Sequence, residues 1–195
     1  MDFTFLEVNN NELLEKVFEF RYKVFLETYP EYIKSLNLKE KKEKDEYDPY
    51  SIHFVAIDQS GNICATVRLI HNSPFGYPTE NNMQLKNEIF NRDKLGEMSR
   101  IFVDSKYRNI QTTKIIIQEV KKFMYMKMTN FGIEYTYGSL ESGFLRLLKI
   151  YKMNYVTIGE EQMHENIGLR YPCVLYTKQL GIDNPEFSNV QENNY

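Results

Sequence analysis

Glu97-Met98-Ser99-Arg100-Ile101-Phe102-Val103 reads as a β-strand, rich in β-branched and aromatic residues and preceded by the turn-like Lys94-Leu95-Gly96. Side chains alternate faces along a regular strand, so Glu97 and Arg100, three residues apart, would point in opposite directions. A bulge between them would bring both charges to one side, and bulges are common beside active sites because they re-aim a side chain and free backbone groups from the ladder. The plainer alternative is an edge strand carrying a solvated ion pair.

Outward from this strand, the flanking segments alternate in type. Upstream, residues 52–57 and 63–70 form a β-hairpin closed by Asp58-Gln59-Ser60-Gly61-Asn62, with Arg68 late in the second strand, in step with Thr66 and Cys64. The connection from His71 to Gly96 is long and holds Pro74, Gly76 and Pro78; such loops inside compact domains are usually functional or disordered. Downstream, a helix is expected from Gln111 or Thr112, with Ile116, Val120, Phe123 and Met124 inward. A strand at 133–137 follows, then a helix capped by Ser139 with the stripe Leu140, Phe144, Leu147, Leu148 and Tyr151, and strands at 155–158 and 172–176. At the start, residues 3–8 are strand-like, Asn9-Asn10-Asn11 offers a cap, and Leu14, Phe18, Arg21 and Phe25 share one helix face. This mixed order implies an α/β (α+β) sandwich with helices on both faces of a central sheet.

At 195 residues the chain is long enough to bury a large core without disulfides or metals, and one domain over residues 1–180 with a polar, frayed tail over 181–195 is expected. A formal charge of -3 argues against nucleic acid as the main partner. No apolar run is long enough to span a membrane and Met1-Asp2-Phe3-Thr4-Phe5 lacks the layout of a signal peptide, so a cytoplasmic location is expected. Cys64 and Cys173 sit in separate strand-like runs and read as small core residues, with no metal site implied.

Three charged features need partners. Arg21, on an apolar helix face, must snorkel to the rim or meet a carboxylate. The run Lys39-Glu40-Lys41-Lys42-Glu43-Lys44 reads as solvated. It ends in Asp45-Glu46-Tyr47-Asp48-Pro49, whose two aspartates either present carboxylates to an amine or cation, or are ordinary turn caps.

Together these residues resemble the acyl-homoserine-lactone synthases and the related N-acyl amino acid synthases, which share the GNAT acyltransferase fold. The resemblance is carried by Arg21 with Phe25, Asp45 and Asp48, Arg68, and Glu97-x-x-Arg100, with a shorter match at Gly168-Leu169-Arg170-Tyr171-Pro172 to an element of the N-acyl amino acid synthase side. The lactone synthases typically carry a tryptophan after the first helix; this chain has none, and Tyr29 or Tyr32 stands where it would fall. Acetyltransferases of the fold use a glycine-containing turn to cradle the coenzyme A pyrophosphate at a helix N-terminus. Here the turn reads Arg108-Asn109-Ile110-Gln111-Thr112-Thr113, whose side chains would crowd a pyrophosphate. The resemblance therefore implies acyl carrier protein as donor partner, bringing its acyl-phosphopantetheine, rather than acyl-CoA, with no tightly bound cofactor.

Acyl transfer to an amine requires a base, a polarised carbonyl and alignment of both. The expected base is Glu97, and backbone amides at Ile101, Phe102 and Val103 are expected to hold the oxyanion. Asp45 and Asp48 are candidates for the small-molecule amine acceptor, with Phe25 beside them and Arg21, Arg68 and Arg100 as counter-charges to the three acids. Arg108, Gln111, Thr112, Phe123, Met124 and Leu147 are candidates for the donor side, and Lys106, Arg108, Lys114, Lys121 and Lys122 for an acidic carrier. The function expected is N-acyl transfer to an amino acid or S-adenosylmethionine. The alternatives are an acyl-CoA-dependent N-acetyltransferase of the same fold and a non-catalytic binding domain in which the charges only stabilise the fold.

Overall fold

Arg100 is where the central strand leaves regular geometry: its φ is 54°, a left-handed conformation that a side chain with a Cβ seldom adopts. The computed structural model describes residues 2–36, 38–86, 90–164 and 167–189. In it β3 (Ile63–His71) pairs antiparallel with β4 (Leu95–Val103), Arg68 opposite Ser99 and Thr66 opposite Phe102, so Arg100 and Ile101 together face the single residue Val67. The bulge thus lies at Arg100 rather than between it and Glu97, and it reverses the alternation. Met98, Ile101 and Val103 pack into the main core, while Ser99, Arg100 and Phe102 meet Arg68, Glu43 and Phe25 on the opposite face.

Around β4 the sheet runs β1 (Thr4–Glu7), β2 (Ser51–Ile57), β3, β4, β5 (Tyr135–Leu140), β8 (Gly168–Tyr176) and β6 (Val156–Thr157), with β7 (Gln162–His164) hairpinned onto β8. All pairs are antiparallel except β4 with β5, which run parallel and pair only from Leu95 to Glu97 against Tyr135 to Tyr137. Beyond those residues the two strands part.

Helices cover both faces. Helix α1 (Asn11–Thr28) is capped by Asn10, whose side chain accepts from the Leu13 amide, and lays Phe18, Arg21 and Phe25 against the sheet. The Phe18 ring meets the His53 imidazole edge-on. On the other face α4 (Ile110–Asn130) sets Phe123 in a stack on Phe54, ring centres 4.1 Å apart, with α5 (Ser142–Ile150) beside it. His53 and Phe54 are consecutive on β2, which is the period-2 pattern of a strand buried on both faces.

The expected hairpin forms, and among the described residues the sandwich is a mixed eight-stranded sheet with six helices. Several boundaries differ. Leu140 ends β5 instead of opening the next helix, Ser139 is a strand residue rather than a cap, and β7 is an added strand. Helix α2 (Pro30–Ser35) extends the first helical segment, and α3 (Pro78–Asn82) orders the long connection. Residues after 180 are not a frayed tail as far as they are described: α6 (Thr177–Asp183) is followed by a 3-10 turn at Pro185–Asn189, and Asn184 and Phe187 are buried. The Lys121 ammonium, itself buried on α4, donates to Asn184 Oδ1 at 2.5 Å and to the Tyr151 carbonyl at 2.9 Å, which ties this segment down. The expected tail over 190–195 lies outside the described residues. Among the described residues no helix is long and apolar enough to cross a membrane.

Candidate active site

Three arginines and three acids close into a ring under α1. Arg21 donates to Glu43 at 2.5 Å and to Asp48 at 2.6 Å, Arg68 to Asp45 at 2.6 Å and Asp48 at 2.9 Å, and Arg100 to Glu43 at 2.7 Å and Asp45 at 3.0 Å. Each guanidinium bridges a different pair of carboxylates, an arrangement its planar fork permits and a lysine's point charge does not. Local geometry sets the acids in place. The Asp45 amide donates to Asp48 Oδ2 at 2.8 Å and the Asp48 amide returns to the Asp45 carbonyl at 3.2 Å, forming a tight turn before Pro49. Ser99 Oγ accepts from Arg68 Nε at 3.0 Å, and Arg100 also lies over the Phe25 ring.

The electrostatics follow from the pairing. Burial alone would raise the Glu43 carboxyl, but the guanidinium groups of Arg100 and Arg21 outweigh it and hold it down at about 2. Asp48 is held well below the carboxylate range by Arg21 and Arg68 against the same burial cost. His53, 3.5 Å from Asp48 and buried, is pushed down by that burial to about 4 and is neutral near pH 7.

The third acid of the ring is Glu43, not Glu97. The run 39–44, expected to be solvated, turns Glu43 inward to 1% exposure, while its lysine neighbours stay at the surface. Nothing in the run distinguishes Glu43 from Glu40; only the ring identifies it. Asp45 and Asp48 are likewise paired with arginines, Asp48 buried and Asp45 with 19% of its side chain exposed. Arg21 and Arg68 are fully buried and stand behind the site rather than in it.

Glu97 stands apart from the ring on the same strand. It is 1% exposed, and its Oε2 accepts from the Thr79 amide of α3 at 2.9 Å. Burial raises its carboxyl to about 7; the Thr79 amide and the more distant Arg68 and Arg100 pull the other way without cancelling it. The long connection between β3 and β4 thus brings Thr79 to this carboxylate.

Glu97 and Arg100 both line a cleft of about 470 Å³ in the gap where β4 and β5 part. Met98 through Val103 form one wall, Ser139 and Leu140 the other, and Ile116, Ile117, Val120, Leu147, Leu148 and Met153 line its apolar part. Phe25, Tyr29 and Tyr32 lie along its α1 side, so each of the two alternatives for the tryptophan's place, Tyr29 and Tyr32, lines the cleft. Arg108 lines it too, with its Nε donating to the Val103 carbonyl at 2.8 Å.

Of the donor-side expectations, Leu147 and Arg108 line the cleft. Phe123 and Met124 do not: both are 0% exposed in the main core, where Phe123 is occupied by its stack on Phe54. Gln111 and Thr112 lie outside the lining, and Thr113 takes their place one residue on. Asn109 caps α4 by accepting from the Thr112 amide at 3.0 Å. Lys121, expected at a carrier-facing surface, is buried. Sequence reasoning left Glu43, Thr79 and Ser99 unassigned; Arg170, noted within its short motif, lines the cleft.

The comparisons with known proteins agree with this architecture. A family model described as an acetyltransferase (GNAT) domain matches residues 20–118, just over half of the chain. No curated protein sequence matches it. Among solved structures the chain is similar to the acyl-homoserine lactone synthase LasI, with a TM-score of 0.74 at 12% identity, covering 98% of this chain and 99% of that one. It is similar to BjaI, a CoA-dependent acyl-homoserine lactone synthase solved with MTA, with a TM-score of 0.71 at 15% identity over 96% and 90%. FeeM, an N-acyl amino acid synthase from uncultured soil microbes, follows with a TM-score of 0.64 at 11% identity over 93% and 94%. A bulged central strand, a sheet that opens beside it and a family match spanning α1 to α4 thus agree: the chain belongs to the GNAT acetyltransferase domain family and shares the fold of the autoinducer synthases.

Proposed function

We propose that this protein is an N-acyltransferase that moves a fatty acyl group from a phosphopantetheine thioester to the amine of an amino acid or of S-adenosylmethionine. The observation that carries the reading is Glu97, a buried carboxyl raised to about 7 that lines a largely apolar cleft beside the parted strands. A base with that affinity takes a proton from an ammonium near neutral pH, where an ordinary glutamate is too weak.

The chemistry runs in two steps. Glu97, directly or through a water, removes a proton from the acceptor ammonium, and the freed nitrogen lone pair attacks the thioester carbonyl. The tetrahedral oxyanion is met by backbone N–H groups around Ile101 and Val103 on the stretch of β4 that has parted from β5, each such donor contributing roughly 3 to 4 kcal/mol in other enzymes. Phe102 pairs with Thr66 and, in step with the Asp104 amide that donates to the Cys64 carbonyl, turns its own N–H toward β3 instead. Collapse of the intermediate breaks the C–S bond and forms the amide; the second proton of the attacking nitrogen passes to the departing thiolate, and the proton held by Glu97 is released to solvent. The acyl chain lies in the apolar cleft between α4, α5 and the sheet.

Acyl carrier protein is the donor this chain is best fitted for. The 108–113 turn has no glycine, and the Asn109 side chain already occupies the Thr112 amide that a diphosphate would need. Lys106, Arg108 and Lys114 are exposed about the start of α4, next to Ile110 at 85% exposure, which suits an acidic partner with an apolar contact. The second reading, acyl-CoA as donor, is favoured by the likeness to BjaI, which is CoA-dependent.

Incubation with acyl carrier proteins and acyl-CoAs of matched chain lengths, against a panel of amino acids and S-adenosylmethionine, tests both readings by mass spectrometry. An N-acylated product with release of one thiol per amide is expected, at a higher kcat/KM from the carrier protein. A higher kcat/KM from acyl-CoA would reverse the donor assignment, and no amide from any pair would remove the reading.

A further inference from the structure

Arg170 on β8 belongs neither to the charge ring nor to the acyl-transfer step. It is 7% exposed and lines the cleft. Its guanidinium donates to the Tyr29 hydroxyl at 2.7 Å and to the Leu169 carbonyl at 2.9 Å, and rests 5.6 Å from the centre of the Tyr29 ring. Both oxygens are neutral acceptors. The acid beside it, Glu141, is 3.5 Å away with a side chain 56% exposed, so that pair is wet and weak.

Arg21, Arg68 and Arg100 each bridge two carboxylates, whereas Arg170, more buried than Arg100, makes no such bridge among the described residues. A guanidinium has five donors, and these two bonds leave most of them for an incoming oxyanion. Among the described residues its charge is paired only with the exposed Glu141, a pairing that an incoming anion would complete. The cleft thus holds a base for an ammonium, Glu97, and a cation suited to a carboxylate, on strands either side of the opening.

We infer that Arg170 is the receptor for a carboxylate on the acceptor, so that the substrate is a zwitterion whose amine meets Glu97 and whose acid meets Arg170. The inference rests on the acyl-transfer reading, whose candidate acceptors all bear a carboxylate, and names the residue that recognises it. Arg170 sets specificity and has no part in the proton transfer.

The test compares paired acceptors that differ only in the carboxylate: tyrosine with tyramine, and S-adenosylmethionine with its decarboxylated form. The wild-type protein is expected to favour the carboxylate-bearing member of whichever pair it accepts. Arg170→Gln is expected to shrink that preference by about 10- to 100-fold through KM, the range for losing charge-assisted hydrogen bonds. Arg170→Lys recovers part of it, and Tyr29→Phe, which keeps the guanidinium, retains the preference. Should Arg170→Gln fail to fold, Arg170→Lys carries the test: a partial fall in the same ratio supports the assignment and an unchanged ratio overturns it. It is also overturned if the wild type takes both members equally, or if the variant raises the KM of the thioester instead. A wild type that acylates no amine removes the transferase reading alone. Calorimetric binding of the same pairs then decides the carboxylate site: a preference that Arg170→Gln abolishes sustains it, and equal binding or none sinks it.

Discussion

Glu43 and Glu97 are each 1% exposed, and they titrate in opposite directions. Glu43 lies between two guanidinium groups and is held at about 2; Glu97 has a backbone amide for its partner and rises to about 7. Burial is the same, so the partners make the difference. A buried carboxylate matched by arginines is held as an anion, whereas one met by neutral donors keeps a proton affinity within reach of neutral pH. The ring holds β4, α1 and the 43–48 segment together, and that rigid frame lets Glu97 remain undercompensated.

The contrast breaks most visibly at Glu97. Glu97→Gln keeps an acceptor for the Thr79 amide but cannot take a proton, so turnover is expected to fall by about 10² to 10⁴-fold with folding intact. A variant that unfolds, with no activity found in either form, would favour a purely structural role for the charges.

Next in size is the ring. Arg21→Met strands Glu43 and Asp48 with one guanidinium each, and breaking a buried pair in this way costs about 3 to 5 kcal/mol. Urea titration should show the loss, with a fall in Tm on the order of 10 °C for a chain of this size. Arg21 is not in the cleft lining, so kcat measured well below the new Tm should change much less than stability. A large kcat loss at unchanged stability would erase the distinction between frame and site.

The pH dependence sharpens the same comparison. Glu97 has a raised affinity in the folded state, so the folded protein holds more protons than the unfolded one between the ordinary 4.5 and about 7. Its contribution to stability is present below 4.5 and is lost as pH rises through about 7. Between pH 4.5 and 8 the wild type should therefore lose about 3 kcal/mol relative to Glu97→Gln. Over the same pH range kcat/KM should rise as the carboxylate is freed. Glu43 has the reverse sign: its contribution is present above 4.5 and is lost only as pH falls through about 2.

The smallest effect expected is at the apolar part of the cleft. Leu147→Phe shortens the space for the acyl chain and should move the preferred donor down by one or two methylenes, each worth about 0.8 kcal/mol. A panel of chain lengths reads this directly, and an unchanged optimum would mean that the chain lies elsewhere.

Much of the frame was legible in the residues. The strand at 97–103, its hairpin neighbours and the face shared by Phe18, Arg21 and Phe25 follow from local periodicity, and Arg21, Asp45, Asp48, Arg68 and Arg100 do converge. The bulge was expected from the spacing of two charges, and the structure shows it at Arg100. Glu43 was hidden because a run of lysines and glutamates looks the same whether one of them turns inward or none does. Phe123 and Met124 were misplaced because helical spacing identifies an inward face without saying whether sheet or opening lies opposite. The segment after 180 was misread because its polar composition conceals Asn184, which is buried as the acceptor for Lys121.

Local periodicity and turn chemistry determined the element order and the two-sided sheet, since these depend on neighbours along the chain, and the candidate base followed from its place on an interior strand together with a family resemblance. Which carboxylate fills each guanidinium, where the strands part and which walls face the cleft were decided by the tertiary structure. Those are contacts between residues twenty to one hundred and forty positions apart, and no local pattern encodes them.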